Sequence, residues 1–402
     1  ASRHNVGATI VISNDRSGNA SCGSCFASTA YQSKQGIDKR LNELLQALRR
    51  RIRTQGPVTI AAFMAEALLH PQYGYYRTAD PFGRDGDFIT SPDISQIFGE
   101  LIGLWVVEMW QALGSPADAA LVELGPGRGT LMTDALRAAK VVPEFLEAIS
   151  VHLVETNPVL RKTQKAQLSD YSPTWHDSVA TLPDMPNLII ANEFFDALPI
   201  HQFRYTDAGW REVLVGIGIE GLDLIISPRE TPHIALIDDV ITRNAKIGDI
   251  TEICPAAISL FEILASGITK NGGAALVIDY GSEFKEPKAT LQGLHGHQAT
   301  NFLDSPGEVD ISAHLDFSAL KRAVPPGICC WGPVTQRDFL LSLGIEIRAS
   351  RLTKLATEKE KARIHSACNR LLAPSEMGTL FKVLAVTSGE KVPSPVPPGF
   401  VK

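Results

Sequence analysis

Ala120-Leu-Val-Glu123-Leu-Gly125-Pro126-Gly127-Arg-Gly129-Thr130 is an apolar run that ends in an acid and then places glycine at three alternate positions. This spacing describes a strand running into a nucleotide-binding turn. Glycine tolerates positive φ and lets a ligand approach the backbone, while the helix from Leu131 points its N-terminus at the site. A dinucleotide fingerprint, G-x-G-x-x-G, would put its last glycine where Thr130 stands. The form E/D-x-G-x-G-x-G fits instead, and it points to S-adenosylmethionine (SAM) held by Glu123, Gly125, Pro126, Gly127, Gly129 and Thr130.

One βα unit later, Val151-His-Leu-Val-Glu155 is a short apolar strand closed by an acid. A carboxylate at that strand end can accept hydrogen bonds from both hydroxyls of a ribose. The alternative is a solvated strand-end glutamate. Asp177 and Ser178, in a loop after a third strand, are candidates for the adenine edge or, equally, a turn and a helix cap. A fourth apolar strand, Asn187-Leu-Ile-Ile-Ala-Asn192, runs into Glu193-Phe194-Phe195-Asp196-Ala-Leu-Pro199. Open α/β sheets bind ligands outside the carboxyl ends of their strands, so Glu193 and Asp196 are the leading candidates for chemistry. Asp279 ends the next strand and is the third. Asn192 joins the cofactor set.

Four further segments are Pro71-Gln-Tyr-Gly74-Tyr75-Tyr76, Gly86-Asp87-Phe88-Ile-Thr90-Ser91-Pro92, Gly307-Glu308-Val-Asp310-Ile-Ser-Ala-His314-Leu-Asp316-Phe317 and Met377-Gly-Thr-Leu-Phe381-Lys-Val-Leu. With the Asn192–Phe203 cluster, and in this order, they resemble the MidA family of methyltransferases, which includes a mitochondrial complex I assembly factor that methylates arginine. The resemblance spans roughly residues 37 to 390. It implies a protein arginine acceptor, on a respiratory-complex subunit or related protein, and puts the His314 segment against the active cleft. It also implies a late strand completing a seven-stranded methyltransferase sheet. The alternatives are a small-molecule O- or N-methyltransferase and an assembly chaperone that keeps a SAM site without turnover.

Methyl transfer from a sulfonium is an in-line displacement in which the protein aligns the acceptor and excludes water, so no metal is expected. A guanidinium stays protonated at neutral pH and its lone pairs are delocalised. Carboxylates beside the methyl can hold it bidentately, localise its charge on the far nitrogens and accept the released proton. Each candidate also has a structural reading: Asp196 as a turn cap, Glu193 as an acceptor of backbone amides, Asp279 as an arginine partner, Phe194 or Phe195 as core, and His314 as a helix-start residue paired with Asp310 or Asp316. Thr90 and Ser91 are expected beside the cofactor. Tyr75, Tyr76, Phe194, Phe195, Asp310 and Asp316 are expected on the acceptor side.

These residues need a scaffold, and periodicity supplies one. Strands near 120–124, 151–155, 187–192 and 274–279, separated by helices, predict a doubly wound, Rossmann-like α/β sheet with an N-terminal helical region and a β-meander plus helical insertions. The expected divisions are 1–36, a head that targets the chain or is foreign to it; 37–118, a helical lid; 119–281, the SAM-binding core with a meander at 203–227; 282–375, an acceptor-side insertion; 376–390, a final core strand; and 391–402, a PPII-like, unpacked Pro-rich tail.

Among 402 residues, 44% are hydrophobic, 20% are charged and the net charge is −6, which fits a large-cored enzyme and argues against general nucleic-acid binding. No apolar run approaches the ~20 residues of a membrane span. Six scattered cysteines, with Cys22-Gly-Ser-Cys25 as an isolated pair, suggest a reducing compartment and no zinc finger. The expected location is bacterial cytoplasm, or the mitochondrial matrix if the chain is eukaryotic. Oligomeric state and the number of methyls added stay open.

Overall fold

The computed structural model describes residues 43–78, 90–219, 221–296, 298–354, 356–389 and 396–400. The head, with Cys22 and Cys25, and the Gly86–Ile89 segment lie outside the described residues. Seven strands form the central sheet: β1 (Ala119–Leu124), β2 (Ile149–Val154), β3 (Thr174–His176), β4 (Asn187–Asn192), β5 (Gly273–Ser282), β6 (Ile328–Thr335) and β7 (Phe381–Ser388). Their order is β3-β2-β1-β4-β5-β7-β6, with β7 antiparallel to both neighbours. A short strand, Leu315–Asp316, adds to the end of β5 at Gly281 and Ser282.

The apolar runs read as strands because both faces of the sheet are covered. Alternate residues enter opposite cores. Leu121, Leu153, Leu188, Ile190, Leu276 and Ile278 join one cluster, and Ala120, Val122, Ile189, Ala191, Ala275 and Val277 join the other. On the first face lie α1 (Gln96–Ala112), which Ser95 caps, and α2 (Thr130–Ala139). α1 is apolar almost all round because it is wedged between the sheet, α2 and later helices. A Cβ on its Gly103 would lie 2.4 Å from the Ala135 carbonyl, so only glycine permits that approach. Buried Glu100 of α1 joins the layers by pairing with Arg137 and Arg348. On the second face lies α4 (Pro255–Asn271), introduced by its N1 proline; α3 (Pro158–Gln167) follows β2 and is capped by Asn157. Each fully buried large side chain here, such as Trp105 or Phe261, contributes about 1.5–3 kcal/mol.

The meander is more extensive than the 203–227 segment expected. His201–Thr206, Gly209–Ile217 and Leu222–Ile226 pair antiparallel, and they recruit Ile250–Ile253 and also Val58–Thr59 from the N-terminal region. The 282–375 segment is likewise not purely an insertion, because it supplies β6 to the core. β6 holds Gly332-Pro333 at a register shift, and a proline with no N–H is accommodated on an edge strand. The same segment holds a three-stranded sheet of Gln292–His295, Gln298–Thr300 and Asp310–Ser312. The tail also departs from expectation. Phe400 is buried against Phe339, and the Pro398 carbonyl accepts a hydrogen bond from Trp105, because an aromatic ring gives this end of the Pro-rich stretch apolar surface to bury. No helix among the described residues is long and apolar enough to cross a membrane.

Candidate active site

Strand order reverses between β1 and β4, and the loops leaving those two strands face one crevice. After β1, Gly125, Gly127 and Gly129 all have positive φ, at +59°, +53° and +86°. A Cβ on Gly125 would stand 2.7 Å from the Phe194 ring, so the turn and the β4 loop touch only because this residue is glycine. Thr90, Pro92, Asp93, Glu123, Gly125, Pro126, Gly127, Arg128, Thr130, Leu131, Asn192 and Glu193 line the pocket between them. It therefore gathers most of the predicted cofactor residues, and adds Asp93, Arg128 and Leu131. Asp93 accepts hydrogen bonds from Thr90 and Thr130, clamping the segment before α1 to the start of α2.

Glu123 is buried at the pocket floor. The Met132 amide supports its carboxylate, but burial dominates and pushes its pKa up to about 8. Its Oε2, the Oδ1 of Asn192 and the Oδ1 of Asp196 have no hydrogen-bond partner among the described residues. Three buried acceptors with spare capacity around one crevice suit a ligand that brings cationic donors, as SAM does with its ammonium group.

Glu155 ends β2 as predicted. Its Oε1 accepts the Asn157 amide at 2.7 Å, and burial raises its pKa above the ordinary range. Gln164, fully buried on α3, donates to the Gly127 carbonyl at 2.6 Å and accepts from Trp175 of β3, tying the glycine turn to the third strand. Neither residue was singled out from the sequence, though Gln164 lies one helical face away from the Asn157 cap. Asp177 is exposed and pairs with Arg161, which also donates to the Glu155 carbonyl; Ser178 caps the 3-10 turn Val179–Thr181.

The turn after β4 holds a residue in the left-handed region. Glu193 is non-glycine at φ +49°, which is disfavoured for a residue with a Cβ. Its Oε1 accepts the Ser91 amide at 2.8 Å and the Asn192 amide group at 3.2 Å. Asp279, fully buried, holds this turn in place: its Oδ2 accepts the amides of Phe195 and Asp196, at 2.9 and 3.2 Å, and its Oδ1 that of Tyr280 at 2.9 Å. It pairs with backbone where the sequence suggested chemistry or an arginine.

Burial, with the Asp196 charge, raises Glu193 to about 7. Burial raises Asp196 to about 6, with the Tyr280 hydroxyl supporting its charged form. Asp279 is driven well above the carboxylate range by burial and then by Asp196 and Glu193. Nearby, Tyr76 donates to Asp310 at 2.7 Å, and burial followed by the charges of Asp310 and Asp196 holds the phenol well above its usual range. Glu193, Asp196, Tyr280, Tyr76 and Asp310 thus form one acidic, tyrosine-lined end of the crevice. Sequence reasoning missed Tyr280; its place directly after Asp279 is the available signal.

The other acceptor-side candidates divide. Tyr75 and Phe195 are core residues, Phe195 packing on Phe261, while Phe194 lies over Gly125. Asp316 caps the helix Phe317–Arg322 and lies near Arg322, away from Asp310's role. His314 packs edge-on against Tyr280, and burial followed by Lys288 and Lys382 lowers its pKa to about 4, so the imidazole is neutral. Its amide donates to Thr290, and no carboxylate pairs with its ring among the described residues.

Residues 101–329 match the model of a family described as S-adenosyl-L-methionine-dependent methyltransferases. The chain is 38% identical over 392 residues to the mitochondrial protein arginine methyltransferase NDUFAF7 of Xenopus tropicalis, covering 90% of each chain. It is 36% identical to the Homo sapiens protein of the same name, covering 87% of this chain and 84% of that one. A Burkholderia thailandensis protein structure bound to S-adenosyl-homocysteine superposes with a TM-score of 0.79 at 26% identity, covering 90% of this chain and 95% of that one.

Proposed function

Because the chain belongs to this family of S-adenosyl-L-methionine-dependent methyltransferases, we propose that the acidic end of its crevice receives the guanidinium of an arginine in a protein. The observation that supports this reading is the convergence of Glu193 and Asp196 on the loop that also borders the cofactor pocket. SAM supplies an electrophilic methyl. The glycine turn and Glu155 hold the nucleoside, Glu123 faces the amino-acid portion, and Glu193 and Asp196 orient the acceptor nitrogen. Asp279 and the Ser91 amide position those two carboxylates. Pairing with the guanidinium keeps Glu193 ionised against burial, and that carboxylate accepts the proton lost on methylation. Tyr76 and Asp310 border the same end and serve acceptor recognition.

The relatives are named mitochondrial, and we place this enzyme in the mitochondrial matrix. A respiratory complex I subunit as acceptor rests on the family resemblance. Incubating a mitochondrial extract with methyl-labelled SAM tests the class of acceptor. Label should enter macromolecules and be lost on protease treatment; label confined to the small-molecule fraction would replace the protein acceptor with a metabolite.

A pH dependence follows from Glu123. Burial lifts its folded pKa from the ordinary 4.5 to about 8, so in the cofactor-free protein it keeps its proton through neutral pH. Stability from this group is full below 4.5 and is lost as pH rises through about 8. A bound ammonium reverses the preference, so SAM binding near pH 7 should release a proton and tighten as pH rises toward 8. Calorimetry in two buffers of different ionisation enthalpy reads that proton. Glu123→Gln should abolish the release, and a buffer-independent wild-type enthalpy would remove Glu123 from the amino-group site.

A further inference from the structure

The meander sheet carries a second cluster that methyl transfer does not use. His201 opens the strand His201–Thr206, Glu212 lies within Gly209–Ile217, and His233 lies in the 3-10 turn Pro232–Leu236. Glu212 is opposite Phe203 in the antiparallel register, so it lies diagonally from His201 on the same sheet face. The 3-10 turn packs over that face, with Ile234 and Ile237 against Phe203 and Trp210. One ligand atom from each of the three side chains lies within 4.8 Å of the other two.

We propose that His201, Glu212 and His233 bind a zinc(II) ion that fastens the 228–245 segment to the meander sheet. An ion pair alone accounts for only part of the arrangement. His201 Nδ1 is 2.5 Å from Glu212 Oε1, and the Glu212 side chain is only 2% exposed, so this buried carboxylate requires a cation. The His201 ring supplies one partner. His233 would then be unexplained: its ring lies 4.0 Å from that of His201, at 39°, and makes no side-chain hydrogen bond among the described residues. A metal ion would use both imidazoles and the carboxylate as ligands.

Two imidazoles and one carboxylate are a donor set suited to zinc, while magnesium and calcium prefer all-oxygen sets. Zinc bonds of about 2.0–2.1 Å put tetrahedral ligand atoms about 3.3 Å apart. Opening the 2.5 Å His201–Glu212 contact to that spacing would let an ion sit among the three ligand atoms. The fourth position is left for water. The expected role is structural. The segment is also tied down by Trp210 donating to Thr242 at 3.0 Å, by Arg211 donating to Glu230 at 3.2 Å and by Arg322 donating to Asp238 at 2.6 Å.

The test uses the full chain, stripped with chelator and titrated with zinc against a chromophoric competitor. One ion per chain should bind, and His233→Ala should weaken it by at least about tenfold. Cobalt should give the visible spectrum of a tetrahedral N/O site, absent in the variant. Zinc should raise the melting temperature of the wild type and not of His233→Ala. His233 is the variant of choice because the His201–Glu212 pair remains intact to support folding. A protein that binds no zinc, that binds it equally in His233→Ala, or that loses it in Cys22→Ser/Cys25→Ser would overturn the proposal.

Discussion

Glu193→Gln should lower turnover by about 10²–10⁴-fold while leaving SAM affinity within about twofold. Gln is isosteric, and its amide oxygen can still accept the Ser91 N–H that Glu193 Oε1 now accepts. The turn and the pocket wall it shares with the glycine loop should therefore persist. What Gln cannot do is carry negative charge beside the guanidinium or take up a proton. The loss should appear in kcat, because the carboxylate offsets the positive charge that the methyl brings to the guanidinium and takes up the proton it sheds. In the wild type, kcat/KM should rise with pH through about 7, where burial has moved this carboxyl, and the variant should lack that limb. A Gln variant with normal kcat and an unchanged pH profile would shift the role to Asp196.

Asp279→Ala should destabilise the protein by about 2–4 kcal/mol, because it leaves the buried amides of Phe195, Asp196 and Tyr280 without their acceptor. The positive-φ conformation of Glu193 is maintained by its surroundings, so loss of this clamp should also lower kcat sharply. Asp279→Asn distinguishes hydrogen bonding from simple volume. An amide presents one oxygen and one NH₂, so it can serve either the Phe195 and Asp196 amides or that of Tyr280, but not both sides. Its stability by denaturant titration should fall between wild type and Asp279→Ala. Equal stability of all three proteins would show that the backbone amides find other partners and that Asp279 does not hold the turn.

The cofactor half of the site was legible because its determinants are local. Three glycines at alternate positions after an apolar strand specify a turn, and the structure shows all three at positive φ. Glu155 was legible for the same reason, as the acid that ends the next strand. Apolar runs located four strands because both sheet faces are covered. β6 was not legible: Ile328-Cys-Cys-Trp-Gly-Pro-Val-Thr contains Gly-Pro, which reads as a turn, and only its edge position next to β7 lets the proline stay.

The acceptor half depends on long-range contacts that no local pattern reports. Asp279 and Glu193 both follow apolar strands and look alike in sequence; one has its oxygens on three amides and the other faces the crevice. Asp310 and Asp316 are six positions apart, yet Tyr76, from 234 residues away in the first case, and a helix N-terminus in the second give them different work. His201 and His233 belong to one cluster only through the packing of a 3-10 turn over the meander, which periodicity does not encode.

The most direct test is where the methyl goes. The protein should be incubated with methyl-labelled SAM and mitochondrial protein, the product hydrolysed to amino acids and the labelled species identified by mass spectrometry, with Glu193→Gln run in parallel. Label in ω-N-methylarginine, strongly reduced by Glu193→Gln, is the expected result. Label on any side chain other than arginine, or equal arginine labelling by the variant, would contradict the assignment of this acidic crevice to a guanidinium.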